Sequence, residues 1–72
     1  MADEDIFLKS LGERINDIRK EKNLSFQELA LRCEIEKASL VKIANNGTNI
    51  TMATLYKISK GLGVSISEIF NF

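Results

Sequence analysis

The chain has 72 residues, 44% of them hydrophobic, enough for one small core and too few for a second domain. A single cysteine excludes an intramolecular disulfide, and with no histidine there is neither a zinc-type cluster nor the commonest general base, so no catalytic residue, metal site or cofactor is expected. Ten Lys and Arg balance ten Asp and Glu, and this zero net charge excludes a protein that coats polyanions indiscriminately. No apolar run approaches about 18 residues, and the start, Met1-Ala2-Asp3-Glu4-Asp5, is acidic rather than signal-like, so no membrane contact is expected and the chain reads as cytoplasmic. Residues 1–10 read as an acidic start that extends the first helix, and 11–72 as the domain proper.

With no proline and four glycines, the pattern is helices punctuated by short turns. A first helix is predicted from about Asp5 to Lys22, its apolar stripe formed by Phe7, Leu8, Leu11, Ile15 and Ile18. Asn23 suits a left-handed stop. Ser25 and Glu28 have capping-box spacing and open a second helix, Phe26 to Cys33, with Leu29, Ala30 and Cys33 inward. A third helix, about Lys37 to Asn45, turns Leu40 and Ile43 inward and Lys37, Ser39, Lys42 and Asn45 outward. Asn45-Asn46-Gly47-Thr48-Asn49 is a turn by composition. Thr51 caps a fourth helix with Met52, Leu55, Ile58 and Leu62 inward, and Gly63 ends it. Ser65 and Glu68 repeat the capping-box spacing before a short last helix bearing Ile69 and Phe70. Only Glu34 to Glu36 joins the second and third helices, which forces the sharp crossing of a helix-turn-helix, here about residues 26–45.

The segments Leu11-Gly12-Glu13-Arg14-Ile15, Ile18 to Ser25, Glu28-Leu29-Ala30 and Leu62-Gly63-Val64-Ser65 resemble the Cro and phage-repressor type of helix-turn-helix domain, the xenobiotic-response-element family. Asn49-Ile50-Thr51 leading into Leu55 is also similar to small controller proteins of restriction-modification systems. The resemblance implies a compact all-α, five-helix, lambda-repressor-like fold, with the third helix in the DNA major groove and the second crossing the backbone. It implies base contacts from Lys37, Ala38, Ser39, Val41 and Lys42. Lysine donates to guanine O6 and N7, serine pairs with several bases, and Ala38 or Val41 touches a thymine methyl. Phosphate contacts fall on Ser25, Phe26 and Gln27 at the start of the second helix, and on Asn45, Gly47, Thr48 and Asn49.

Five positions depart from the family pattern, among them Ile50, which stands where proline usually opens the fourth helix. Glu34 stands where glycine is usual in the turn and is expected to be strained, and Glu36 replaces the usual hydroxyl cap of the recognition helix. Phe26 occupies the place of a phosphate-contacting glutamine, with Gln27 one residue later. A familiar buried arginine–glutamate pair becomes Arg19 facing Ala44, so Arg19 is expected to find another carboxylate or to turn outward toward phosphate.

Cys33 reads as a small core residue, since no second thiol exists to resolve it. Phe7, Phe26, Tyr56, Phe70 and Phe72 read as core or interface rather than as a stacking platform for single strands. Ile66, Ile69, Phe70 and Phe72 are more apolar than a chain end needs and suggest a symmetric homodimer interface. The expected function is a sequence-specific transcriptional regulator that binds double-stranded DNA as a homodimer on a pseudo-palindromic operator, without a small-molecule ligand. A protein-binding module on the same scaffold, an antitoxin or an adaptor, is the alternative, motivated by Glu34 and Glu36 beside the recognition helix. Setting aside Asp3, Glu4 and Asp5, ten basic residues face seven acidic ones, so part of the charge balance is a property of the start.

Overall fold

A computed structural model describes residues 3–72; Met1 and Ala2 lie outside the described residues. Five helices follow in order, α1 (Asp3–Glu21), α2 (Phe26–Cys33), α3 (Lys37–Asn46), α4 (Met52–Leu62) and α5 (Ile66–Ile69), and the described residues contain no strand. The local signals explain most boundaries. Ser25 Oγ accepts from the Glu28 N–H and Glu28 Oε1 accepts from the Ser25 N–H, both at 3.0 Å, and Ser65 and Glu68 form the same reciprocal box. Thr51 Oγ1 accepts from the Thr54 N–H. Glu36 opens α3 with no side-chain cap bond.

Three helices end in the same way. Asn23, Glu34 and Gly63 take left-handed backbone, at φ 57°, 58° and 73°. In each case the next residue's N–H reaches back five positions, Leu24 to the Arg19 carbonyl, Ile35 to Ala30 and Val64 to Ser59, each at 3.1 Å. These are Schellman closures. At Glu34 this accounts for the predicted strain: a non-glycine residue there costs about 1 kcal/mol, and the closure together with Ile35, which packs against the core, offsets it.

The core is Leu11, Ile15, Ile18, Leu24, Leu29, Ala30, Cys33, Leu40, Ile43, Leu55, Ile58, Leu62 and Ile69. Helix α1 packs chiefly on α3 and α2 on α4, while α5 bridges α1 and α4. Two glycines make these crossings possible. A Cβ on Gly12 would run into the Ile43 carbonyl oxygen, and one on Gly61 would run into Cys33 Sγ. Neither close approach is visible as a periodicity.

Several expectations are corrected. Helix α1 begins at Asp3, two residues early, because the acidic first turn suits the positive end of its dipole. Met52 is 66% exposed, since the buried face of α4 begins only at Leu55. Phe7 is 48% exposed, lying beyond the part of the stripe that faces the core. Ile69 has no exposed surface; it closes the core between α1 and α4 and cannot serve as a dimer-interface side chain in this conformation. Arg19 neither meets a carboxylate nor turns away from the fold. Ala44, the residue expected opposite it, is buried without any charge to match.

Candidate nucleic-acid interface

Helix α3 has two unlike faces. Leu40, Ile43 and Ala44 are buried, whereas Lys37, Ala38, Ser39 and Lys42 are exposed and Val41 is partly exposed. The exposed set contains two ammonium groups, a hydroxyl and a methyl. That set offers donors for guanine acceptors, a donor–acceptor for any base edge and an apolar contact for thymine. Glu34 and Glu36 are exposed on the approach to the helix and reduce its local positive charge.

A shallow groove lies beside this face, lined by Ser39, Lys42, Ile43, Thr48, Asn49, Ile50, Thr51 and Thr54. It brings two of the base-reading candidates together with two of the loop residues expected at phosphates. Thr48 Oγ1 donates to the Lys42 carbonyl at 3.1 Å, tying the loop to the last turn of α3, and Asn49 Oδ1 accepts from the Ile50 N–H at 2.9 Å. Thr51 and Thr54 join them, their hydroxyls 3.0 Å apart. Sequence reasoning assigned Thr51 only as a cap and passed over Thr54; a threonine pair following the loop was the available signal.

The loop has a second side. Gly47 closes α3 at φ 63°, and a Cβ there would lie 2.9 Å from the Lys9 backbone. The loop is thus pressed against α1. One hollow joins Gly47 and Asn49 to Asp3, Glu4, Asp5, Phe7 and Leu8, and another joins Asn45, Asn46 and Gly47 to Asp5 and Lys9. The acidic start is therefore a folded helical turn beside the loop, and its three carboxylates lower the potential that Asn45, Gly47 and Asn49 would present to a phosphate.

At α2 the Ser25 hydroxyl is occupied by the Glu28 N–H, leaving the N–H groups of Phe26 and Gln27 as helix-start donors without an intrahelical acceptor. Two hydrogen bonds from Ser25 hold the exposed Glu28 carboxyl below its usual range, so a negative charge remains at this end. Ser25 and Gln27 are exposed and Phe26 is partly buried. None of the three lines the groove beside α3.

Phe70 and Phe72 meet Phe7 at the far end of α1, with ring centroids 5.8 to 6.4 Å apart, and all three remain exposed. Arg14 Nε donates to the Glu68 carbonyl at 3.1 Å and fastens α5 to α1. Ile66 is partly buried against the core. The sequence placed Phe7 in the core-facing stripe and among the residues read as core or interface, but not in the set expected at a dimer interface. Cys33 is 2% exposed, and burial pushes its thiol up to about 11. Among the described residues no group of three potential metal ligands is found, and no helix is long and apolar enough to cross a membrane.

Control protein C.MunI from a Mycoplasma species is 34% identical over 61 residues, covering 83% of this chain and 82% of that protein. The crystal structure of the restriction-modification controller protein C.AhdI from Aeromonas hydrophila superposes with a TM-score of 0.84 at 22% identity, over 88% of this chain and 96% of that one, and so shares its fold. C.Esp1396I bound to a 25 base pair operator site superposes with a TM-score of 0.84 at 31% identity, over 89% of this chain and 84% of that one. Residues 15–69 match the helix-turn-helix family. With five helices, a three-residue connection between α2 and α3, and an exposed polar face on α3, the chain belongs to that helix-turn-helix family, in its xenobiotic-response-element form.

Proposed function

We propose that this protein is a cytoplasmic, sequence-specific transcriptional regulator that binds duplex DNA as a homodimer, in the manner of a restriction-modification controller. The observation that carries the reading is the exposed face of α3, where Lys37, Ala38, Ser39 and Lys42 stand clear of the fold beside the groove shared with Thr48, Asn49, Thr51 and Thr54. The likeness to an operator-bound controller supports it. In this reading α3 enters the major groove, and Lys37, Ala38, Ser39, Val41 and Lys42 read base edges. The start of α2, at Ser25, Phe26 and Gln27, and the residues Asn45, Gly47, Thr48 and Asn49 contact phosphate. Ile66, Phe70 and Phe72, now with Phe7, supply the surface for a second copy. Two recognition helices would then lie about 34 to 36 Å apart, one turn of DNA.

With no excess of positive charge, the protein binds by discrimination rather than by grip, and its affinity for random DNA is low. Selection from a pool of random duplexes tests the whole reading. An inverted repeat with half-sites one helical turn apart is the expected product. A pool that enriches no sequence even at low salt would refute it.

A further inference from the structure

Asparagine modifies itself without an enzyme when the backbone nitrogen of the next residue attacks its side-chain amide, a reaction favoured by an N–H without a hydrogen bond and by little bulk beside it. The chain holds six asparagines, and the fold treats their successors unequally. Asp17 and Asn46, which follow Asn16 and Asn45, lie within α1 and α3, where each N–H is committed to the carbonyl four residues back. The Leu24 N–H donates to the Arg19 carbonyl at 3.1 Å, the Ile50 N–H to Asn49 Oδ1 at 2.9 Å and the Phe72 N–H to the Phe70 carbonyl at 2.9 Å. Gly47, which follows Asn46, differs: among the described residues no acceptor meets its N–H. At the corresponding position after α2 and α4, Glu34 and Gly63 both donate to the preceding turn.

The end of α3 is lightly held. Asn46 is exposed and Gly47 partly so, and the last turn carries no basic residue to complement the helix dipole. The bond from Thr48 Oγ1 to the Lys42 carbonyl is the tie that keeps the loop against the helix. Gly47 has no Cβ to obstruct the approach of its nitrogen. In the reaction Gly47 N loses its proton to water or hydroxide and bonds to Asn46 Cγ, the Cγ–Nδ2 bond breaks, and ammonia leaves a five-membered cyclic imide. Water then opens the ring. Cleavage at Cγ gives aspartate, and cleavage at the backbone carbonyl gives isoaspartate, with the chain running through Cγ.

We propose that Asn46-Gly47 is a site of spontaneous deamidation, through which the protein gains a carboxylate at the end of α3 and loses affinity for duplex DNA as it ages. The hollow that Asn46 lines with Asn45 and Gly47 already holds one carboxylate, Asp5, and one ammonium, Lys9, so the added charge is uncompensated. Isoaspartate further lengthens the backbone where Gly47 is pressed so closely on α1 that a Cβ there would lie 2.9 Å from the Lys9 backbone. The loss of affinity rests on the duplex-DNA reading above; the deamidation does not.

The test is to age the purified protein at neutral and at mildly alkaline pH, following each asparagine by peptide mass mapping and binding of the selected operator by fluorescence anisotropy. A synthetic peptide of residues 42–51 gives the rate without the fold. Conversion is expected at Asn46 ahead of every other asparagine, faster at the higher pH, and within about tenfold of the peptide rate, because releasing the last residue of a helix costs little. Thr48→Val, which cuts the tie to Lys42, is expected to convert faster than the parent. Asn46→Gln, whose longer side chain would have to close a larger ring, is expected to bind as the parent does and to keep its affinity on ageing. Asn46→Asp is expected to bind severalfold more weakly from the start and to melt a few degrees lower. The assignment falls if the folded protein keeps Asn46 intact while the peptide converts, or if another asparagine converts first. The link to binding falls if aged protein and Asn46→Asp both bind as the fresh parent does. A parent that binds no duplex removes the functional reading and the loss of affinity together, while the mass map still decides the modification.

Discussion

The two faces of α3 are built on opposite rules. Inward, Leu40 and Ile43 sit in a closed core, and the helix approaches α1 so nearly that Gly12 faces the Ile43 carbonyl with no room for a methyl group. Outward, Lys37, Ser39 and Lys42 touch little of the fold. Stability depends on the first face and, in the proposed reading, selectivity on the second, and the two can be changed separately because successive residues of one helix serve different partners.

The strongest way to break that separation is Gly12→Ala. Helix propensity favours alanine by about 1 kcal/mol, but the new methyl would collide with a backbone oxygen that has no rotamer to escape into, so overpacking wins and the net loss is about 1 to 3 kcal/mol. A melting curve shifted downward, with the same sequence preference at temperatures where the variant is folded, is the expected result. On the outer face, Lys42→Ala should leave the melting curve within about 0.5 kcal/mol of the parent while costing about 1 to 3 kcal/mol at one base position in each half-site. Repeating the duplex selection checks this: the preference at one position should relax. Uniform weakening at every sequence would instead assign Lys42 to phosphate. The smallest effect is expected from Glu34→Gly, just before α3. Glycine accepts φ 58° without strain, so the variant should gain up to about 1 kcal/mol in urea unfolding and keep the operator sequence of the parent.

Local chemistry made much of the fold legible in the sequence. The caps at Ser25, Thr51 and Ser65 and the stops at Asn23 and Gly63 follow from side chains within three or four residues of the bonds they make, and all appear as read. The inward residues of α2 and α3 followed from spacing alone. What escaped was set by distant neighbours. Gly12 and Gly61 reveal their purpose only against Ile43 and Cys33, and Met52 reads as core by spacing although nothing covers it. The site was partly legible for the same reason. That Lys37, Ala38, Ser39 and Lys42 are exposed could be anticipated from the helix period. That the carboxylates of the first turn of α1 lie beside Gly47 and Asn49, or that Phe26 forms a platform for Arg19, depends on how the helices pack. A glutamate in place of turn glycine looked like a defect, and became understandable once Ile35 was seen to anchor the closure around it.

The buried thiol of Cys33 has a practical consequence. Held at 2% exposure and with its ionisation pushed up to about 11, it presents almost no thiolate to a labelling reagent at neutral pH. A cysteine placed at an exposed position such as Lys57 would therefore react alone, with no need to remove the native one. Spin labels introduced in this way would turn the proposed homodimer into its own ruler, giving one distance across the symmetry axis with and without DNA.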